Sequence, residues 1–211
     1  MFSSDRDLLS LEPNLFRDIS FLAQTLALTS GSLSAGTLTL TDPIPASTVG
    51  PGNVALIGRT PMEILAAPSP DTLVLSLTRP DPTGPQIIPA DRATDSVAIV
   101  SFRPQLSIIH RQLLAMLAIA PDAQPAIGVV TEQSITNPRD LTLVESLGAL
   151  HLIYAAASST LPESAPASQR ARSYLDRFNR ERWRARAHID LNNDGLPDAQ
   201  RTLSILHITR Q

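Results

Sequence analysis

The chain has no cysteine, which excludes disulfides and cysteine-ligated zinc as ways of holding it together. Lysine is absent too: all 17 basic residues are arginine. Aromatics make up only 4%, and none occurs from Leu22 to Ser101. That stretch therefore lacks the stacking platforms expected of a single-strand nucleic-acid or sugar binder. Glycine is scarce, 9 residues against 18 prolines, which favours compact elements joined by stiff connections. No apolar run reaches the ~18–20 residues of a membrane span, so no membrane partner is expected. The opening Met1-Phe2-Ser3-Ser4-Asp5-Arg6-Asp7 has no basic end leading into an apolar run, so no signal peptide is expected either.

Catalytic signatures are also missing. There is no Gly-x-Ser-x-Gly elbow, Walker loop or His-Glu-x-x-His. The glycine-rich Gly50-Pro51-Gly52-Asn53 precedes a strand pattern and reads as a turn. His110, His151, His188 and His207 stand far apart with no metal-ligand partner at helical spacing, and read as packed or surface histidines. The expectation is a structural or docking protein and not an enzyme.

What is present suffices for a core: 211 residues, 43% hydrophobic, fit one large domain or two small ones. Residues 10–28 carry Leu15, Ile19, Leu22 and Leu26 at helical spacing, with Ser30-Gly31-Ser32 as the breaker. Short β runs follow at 37–41, 53–57, 62–66, 72–78 and 96–102, fenced by proline or glycine. Eleven prolines between Pro43 and Pro104 confine these strands and protect edges. Helical period returns after Pro104 with Leu106, Ile109, Leu113 and Leu117. Asp140 can cap a helix carrying Val144, Leu147, His151 and Tyr154. A last helix over 168–188 has Ala171, Leu175, Phe178, Arg182 and Ala185 along one stripe, and 202–209 reads as a strand. The expected fold is α+β: a bundle of about four helices with an inserted all-β module, barrel or sandwich. Residues 1–32 would be the first helix of the bundle, 33–103 the β module and 104–189 the rest of the bundle. Residues 190–211 would be an aspartate-rich loop and a C-terminal docking tail.

Two segments carry chemistry. Asp190-Leu191-Asn192-Asn193-Asp194-Gly195-Leu196-Pro197-Asp198 matches the first nine positions of a calcium loop, with oxygen ligands at every second residue and glycine at the turn. Asp190, Asn192, Asp194 and Asp198 would offer side-chain oxygens, and Leu196 its carbonyl, to a structural calcium. The closing glutamate is replaced by Arg201, and the bland alternative is an Asx-rich turn. The second segment is basic. From Arg170 to Arg186, seven arginines face Asp176 and Glu181, a local charge of +5 in a chain of net −3. Arg170, Arg172, Arg177, Arg180, Arg184 and Arg186 could contact the phosphates of double-stranded DNA or carboxylates of an acidic protein surface. The bland reading is a solvated face with pairs such as Asp176 and Arg180. A calcium-stabilised interaction module and a DNA-binding protein are the two alternatives these segments allow.

The order of features resembles the head–tail connector (adaptor) proteins of tailed bacteriophages. The resemblance rests on the opening Asp7-Leu8-Leu9-Ser10-Leu11-Glu12-Pro13-Asn14-Leu15-Phe16 and on the C-terminal block. That block has an alanine-rich 147–157 helix ending in Tyr154-Ala155, a Ser173-Tyr174-Leu175-x-x-Phe178 charged helix and the Asp-x-Asn-x-Asp-Gly loop. It covers residues 1–30 and 104–200, and the β module lies outside it. It implies a virion protein at the head–tail neck, made in the host cytoplasm, with no catalytic residues. Its implied partners are copies of itself in a ring, typically twelve, the portal protein above, tail or neck proteins below, and packaged DNA in the lumen.

Overall fold

The computed structural model describes residues 1–21, 24–45, 47–122, 129–159, 162, 165–192 and 194–203. The chain divides into two compact units, Ser4–Arg103 and Met1–Ser3 with Pro104–Gln211. Among the described residues no helix is long and apolar enough to cross a membrane.

The first unit opens with two short helices, α1 (Asp5–Leu11) and α2 (Leu15–Asp18), separated by a turn at Pro13. Asp7 accepts the Ser4 backbone N–H at 2.8 Å and so caps α1. Six strands follow: β1 (Thr25–Ser34), β2 (Thr37–Leu40), β3 (Val54–Ile57), β4 (Thr60–Ser69), β5 (Thr72–Ser76) and β6 (Arg92–Val100). They close into an antiparallel barrel in the order β1-β2-β5-β4-β3-β6. Closure leaves no open edge to recruit another strand. Alternating aliphatic residues fill the interior, among them Leu33, Leu38, Ile57, Met62, Leu75 and Ile99. Gly31 is required by close approach: a Cβ there would stand 2.6 Å from the Thr39 carbonyl. Below the barrel wall Phe16 and Phe21 pack against Phe102, and Leu8, Leu9 and Leu15 are fully buried.

The second unit holds α3 (Arg103–Met116), a 3-10 turn (Glu132–Ser134), α4 (Pro138–Ala157), α5 (Pro166–Arg184) and an antiparallel hairpin of β7 (Arg186–Ile189) and β8 (Ala199–Thr202). Gly148 on α4 marks the tightest packing: a Cβ there would lie 2.9 Å from Ile109 on α3 and 3.1 Å from Phe178 on α5. Asn137 caps α4 and ties it to the hairpin. Its amide donates to Asp140 at 2.8 Å and to the Arg186 carbonyl at 2.9 Å, while its carbonyl accepts the His188 N–H at 2.7 Å.

This architecture corrects the expected helical bundle with an inserted β module. The barrel is a closed six-stranded unit in its own right, and the N-terminal helices belong to it. The single helix expected over 10–28 does not form: only 10–11 and 15–18 are α-helical, 25–28 already belong to β1, and Leu22 lies outside the described residues. Leu26 on that strand is 38% exposed, so its helical spacing was coincidental. Gly31, expected to break a helix, sits inside a strand. Of the expected strands, 37–41, 53–57, 62–66 and 72–78 coincide with β2 to β5, whereas 96–102 starts four residues late. Asp140 is not the cap of α4, a role taken by Asn137. The last helix stops at Arg184, so Arg186 and His188 lie on β7. Only residue 202 of the expected 202–209 strand falls in β8, and 204–211, His207 included, lies outside the described residues.

Candidate docking surface

A long amphipathic helix can bury one stripe and leave its polar face for partners. On α5 the buried stripe is Ala171, Tyr174, Phe178 and Arg182. Leu175, expected on that stripe, is 36% exposed, and Tyr174 takes its place. The tyrosine stacks on Tyr154 of α4, ring centroids 5.6 Å apart. Arg170, Arg172, Arg177, Arg180 and Arg184 are all exposed on α5.

Two of these guanidiniums rest on the aromatic pair. Arg170 lies 5.6 Å over the Tyr154 ring and donates to its hydroxyl at 3.0 Å, and Arg177 lies 5.7 Å over Tyr174. Such contacts preserve the charge while fixing its direction. Arg184 reaches Glu181 at 3.3 Å. Arg186 does not share the helical face; from β7 its Nη1 donates to the carbonyls of Trp183 and Ala185, both at 2.9 Å, satisfying the orphan acceptors at the end of α5. No ion pair joins Asp176 to Arg180 among the described residues.

Trp183, the only tryptophan, is 66% exposed among these arginines. Tryptophan and arginine are the residues most enriched where a partner is gripped. Arg182, placed on the apolar stripe by sequence spacing, is buried there beside Phe178.

An open cavity of about 310 Å³ adjoins the same end of the helix, lined by Asn137, Asp140, Leu143, Glu181, Arg184 and His188 among others. Its carboxylates are engaged: Asp140 with Asn137, and Glu181 with Arg184.

The aspartate-rich loop joins β7 to β8. Asp190 accepts the N–H groups of Asn192 at 3.2 Å and Gly195 at 2.7 Å. Asn192 accepts the Asp194 N–H at 3.0 Å, and Asp194 accepts those of Leu196 at 2.8 Å and the Asn192 amide at 3.1 Å. Asp198 accepts the Leu191 N–H at 2.8 Å. Gly195, with φ of 86°, makes the reversal. Arg201 turns away, donating to the Leu117 carbonyl at 2.6 Å. No three carboxylate or histidine groups converge among the described residues. In this arrangement the loop side chains bond the loop's own backbone, as in an Asx-rich hairpin turn.

Histidines take no common position. His110 is buried with Nε2 3.0 Å from Glu132 and Nδ1 3.6 Å from Glu145, whereas His151 bonds the Ala171 carbonyl at 2.9 Å. Burial depresses the His110 pKa, but the Glu145 and Glu132 carboxylates beside the ring outweigh it and hold the group above its ordinary value. In the barrel unit, Glu63 is bound by both Arg6 and Arg79. Asp5 accepts the Phe102 N–H at 2.7 Å and the Asn53 amide at 3.1 Å; burial pushes its carboxyl up in spite of these bonds. Comparison of the chain with family models, curated proteins and solved structures finds no match in any of the three.

Proposed function

We propose that this chain is a structural docking subunit, acting as a head–tail adaptor that assembles into a ring and joins a portal to tail or neck proteins. The observation that carries the reading is the outer face of α5. There, five exposed arginines share the helix with an exposed tryptophan and with Leu175. Exposed aromatic and guanidinium groups side by side are costly for a free surface and favourable for one that is covered. The order of α3, α4, α5 and the hairpin supports the resemblance over residues 104–200. The N-terminal part of that resemblance has lost its long helix and contributes nothing. In this reading the barrel, closed and without edges, is a spacer or a second contact surface.

The test is the mass of the assembly, measured by sedimentation for the chain alone and with portal rings. A closed oligomer, or a monomer that assembles only on the portal, supports the proposal. Failure to associate in either condition removes it. Packaged DNA as the partner of α5 is the competing reading, favoured by the local charge of +5. It requires affinity for duplex DNA that falls steeply with salt.

A further inference from the structure

We infer that Arg182 and Trp183 form a carboxylate-binding site on α5, made for an acidic and apolar segment of a different protein. The inference rests on the docking reading of α5 above and names what the surface takes.

Arg182 is only 8% exposed, and its Nε has no hydrogen-bond partner among the described residues. No ion pair reaches it among the described residues; its neighbours are rings, Phe178 at 5.8 Å and Trp183 at 5.9 Å from the guanidinium carbon. The other buried arginine among the described residues is arranged differently: Arg6, 6% exposed, meets Glu63 and Asp7. A buried charge without a counter-charge is strongly unfavourable. Ring faces compensate only part of that cost. An anion arriving beside Trp183 would supply the rest, and a guanidinium offers a planar fork that fits carboxylate or phosphate.

The surroundings choose between the two. Trp183 is exposed beside the site, and apolar surface of this kind is desolvated by protein side chains, not by a phosphate backbone. Asp176 and Glu181 also stand on α5, where they repel a polyanion more than a single carboxylate flanked by apolar groups. A rigid duplex, moreover, cannot push a phosphate down to a guanidinium so little exposed, whereas an extended glutamate side chain can. The charge of the face, +5 over 170–186, complements such a segment.

The test uses the full chain and a heptapeptide of alternating leucine and glutamate, acetylated and amidated at its ends. Trp183 emission is the readout, since no other tryptophan contributes. The expected result is a saturable change in emission that is lost when glutamine replaces every glutamate in the peptide. Arg182→Gln is expected to weaken binding at least tenfold, and Arg180→Gln, on an exposed arginine, less than threefold. Thermal melting checks that each variant folds, and the glutamine peptide provides an arm that needs no variant. Absence of any response, equal binding by the two peptides, or equal binding by wild type and a folded Arg182→Gln chain would overturn the site. So would a response to a 20-base-pair duplex alone, which points to phosphate. A change on concentrating the protein without peptide overturns it as well, since a second copy then supplies the carboxylate. Ring formation without peptide binding removes this site only; peptide binding by a chain that never associates removes the ring only.

Discussion

Replacing Glu63 by glutamine tests the charge arrangement inside the barrel unit. Glu63 is 1% exposed and accepts Arg6 Nε at 3.1 Å, Arg79 Nε at 2.6 Å and the Arg79 backbone N–H at 3.0 Å. Glutamine keeps the shape but removes the negative charge between two guanidiniums whose side chains are 8% and 13% exposed. Arg6 retains Asp7 at 3.1 Å and the Arg79 carbonyl. Arg79 retains only the Gly84 carbonyl, at 2.6 Å. Removing one partner of a buried ion pair costs about 3–5 kcal/mol. The retained contacts place this case at the lower end, about 3 kcal/mol. For a unit of about 100 residues each kcal/mol moves Tm by ~4–8 °C, so a fall of ~12–24 °C follows. Circular dichroism melting, with hydrogen exchange to locate the loss in Ser4–Arg103, reads it. A fall below ~4 °C would refute the reasoning, since it would mean that the two arginines do not need the charge.

Three further outcomes follow from the same kind of argument. The folded-state pKa of His110 lies above its ordinary value of 6.5, so its stabilising contribution is full below that pH and is lost as pH rises through the folded value. Melting of wild type should therefore weaken as pH rises from 6.5 through the folded value, and His110→Asn should flatten the dependence. Gly148→Ala should destabilise by about 1–3 kcal/mol through overpacking, because its Cβ would lie 2.9 Å from Ile109 and 3.1 Å from Phe178; urea unfolding followed by Trp183 emission measures it. A chelator should leave Tm unchanged, because the 190–198 loop is closed by its own hydrogen bonds; a clear fall on chelation would show that a bound cation stabilises the fold.

Much of the barrel could be read from period-2 patterns fenced by proline, as β2 to β5 show. β1 could not, because Leu15, Ile19, Leu22 and Leu26 fit a helix and only the pairing of Thr25–Ser34 with both β2 and β6 settles its form. Closure itself depends on contacts between residues seventy apart, such as Leu28 with Ala98, which no local pattern carries. On α5, heptad spacing located the exposed arginines Arg170, Arg177 and Arg184. It misplaced Arg186, since a helix end two residues earlier moves that side chain to a strand. Arg182 was hidden for a different reason: burial without a counter-charge is a property of the packed structure, and spacing alone reports only that its neighbours are apolar.

The functional reading depends on α5 working as a surface that another protein covers. Hydrogen–deuterium exchange and side-chain footprinting of Trp183 in the proposed complex with portal rings, set beside the isolated chain, address that directly. Strong protection of Trp183 in the complex is the predicted result. A tryptophan as reactive there as in the free chain would contradict the account.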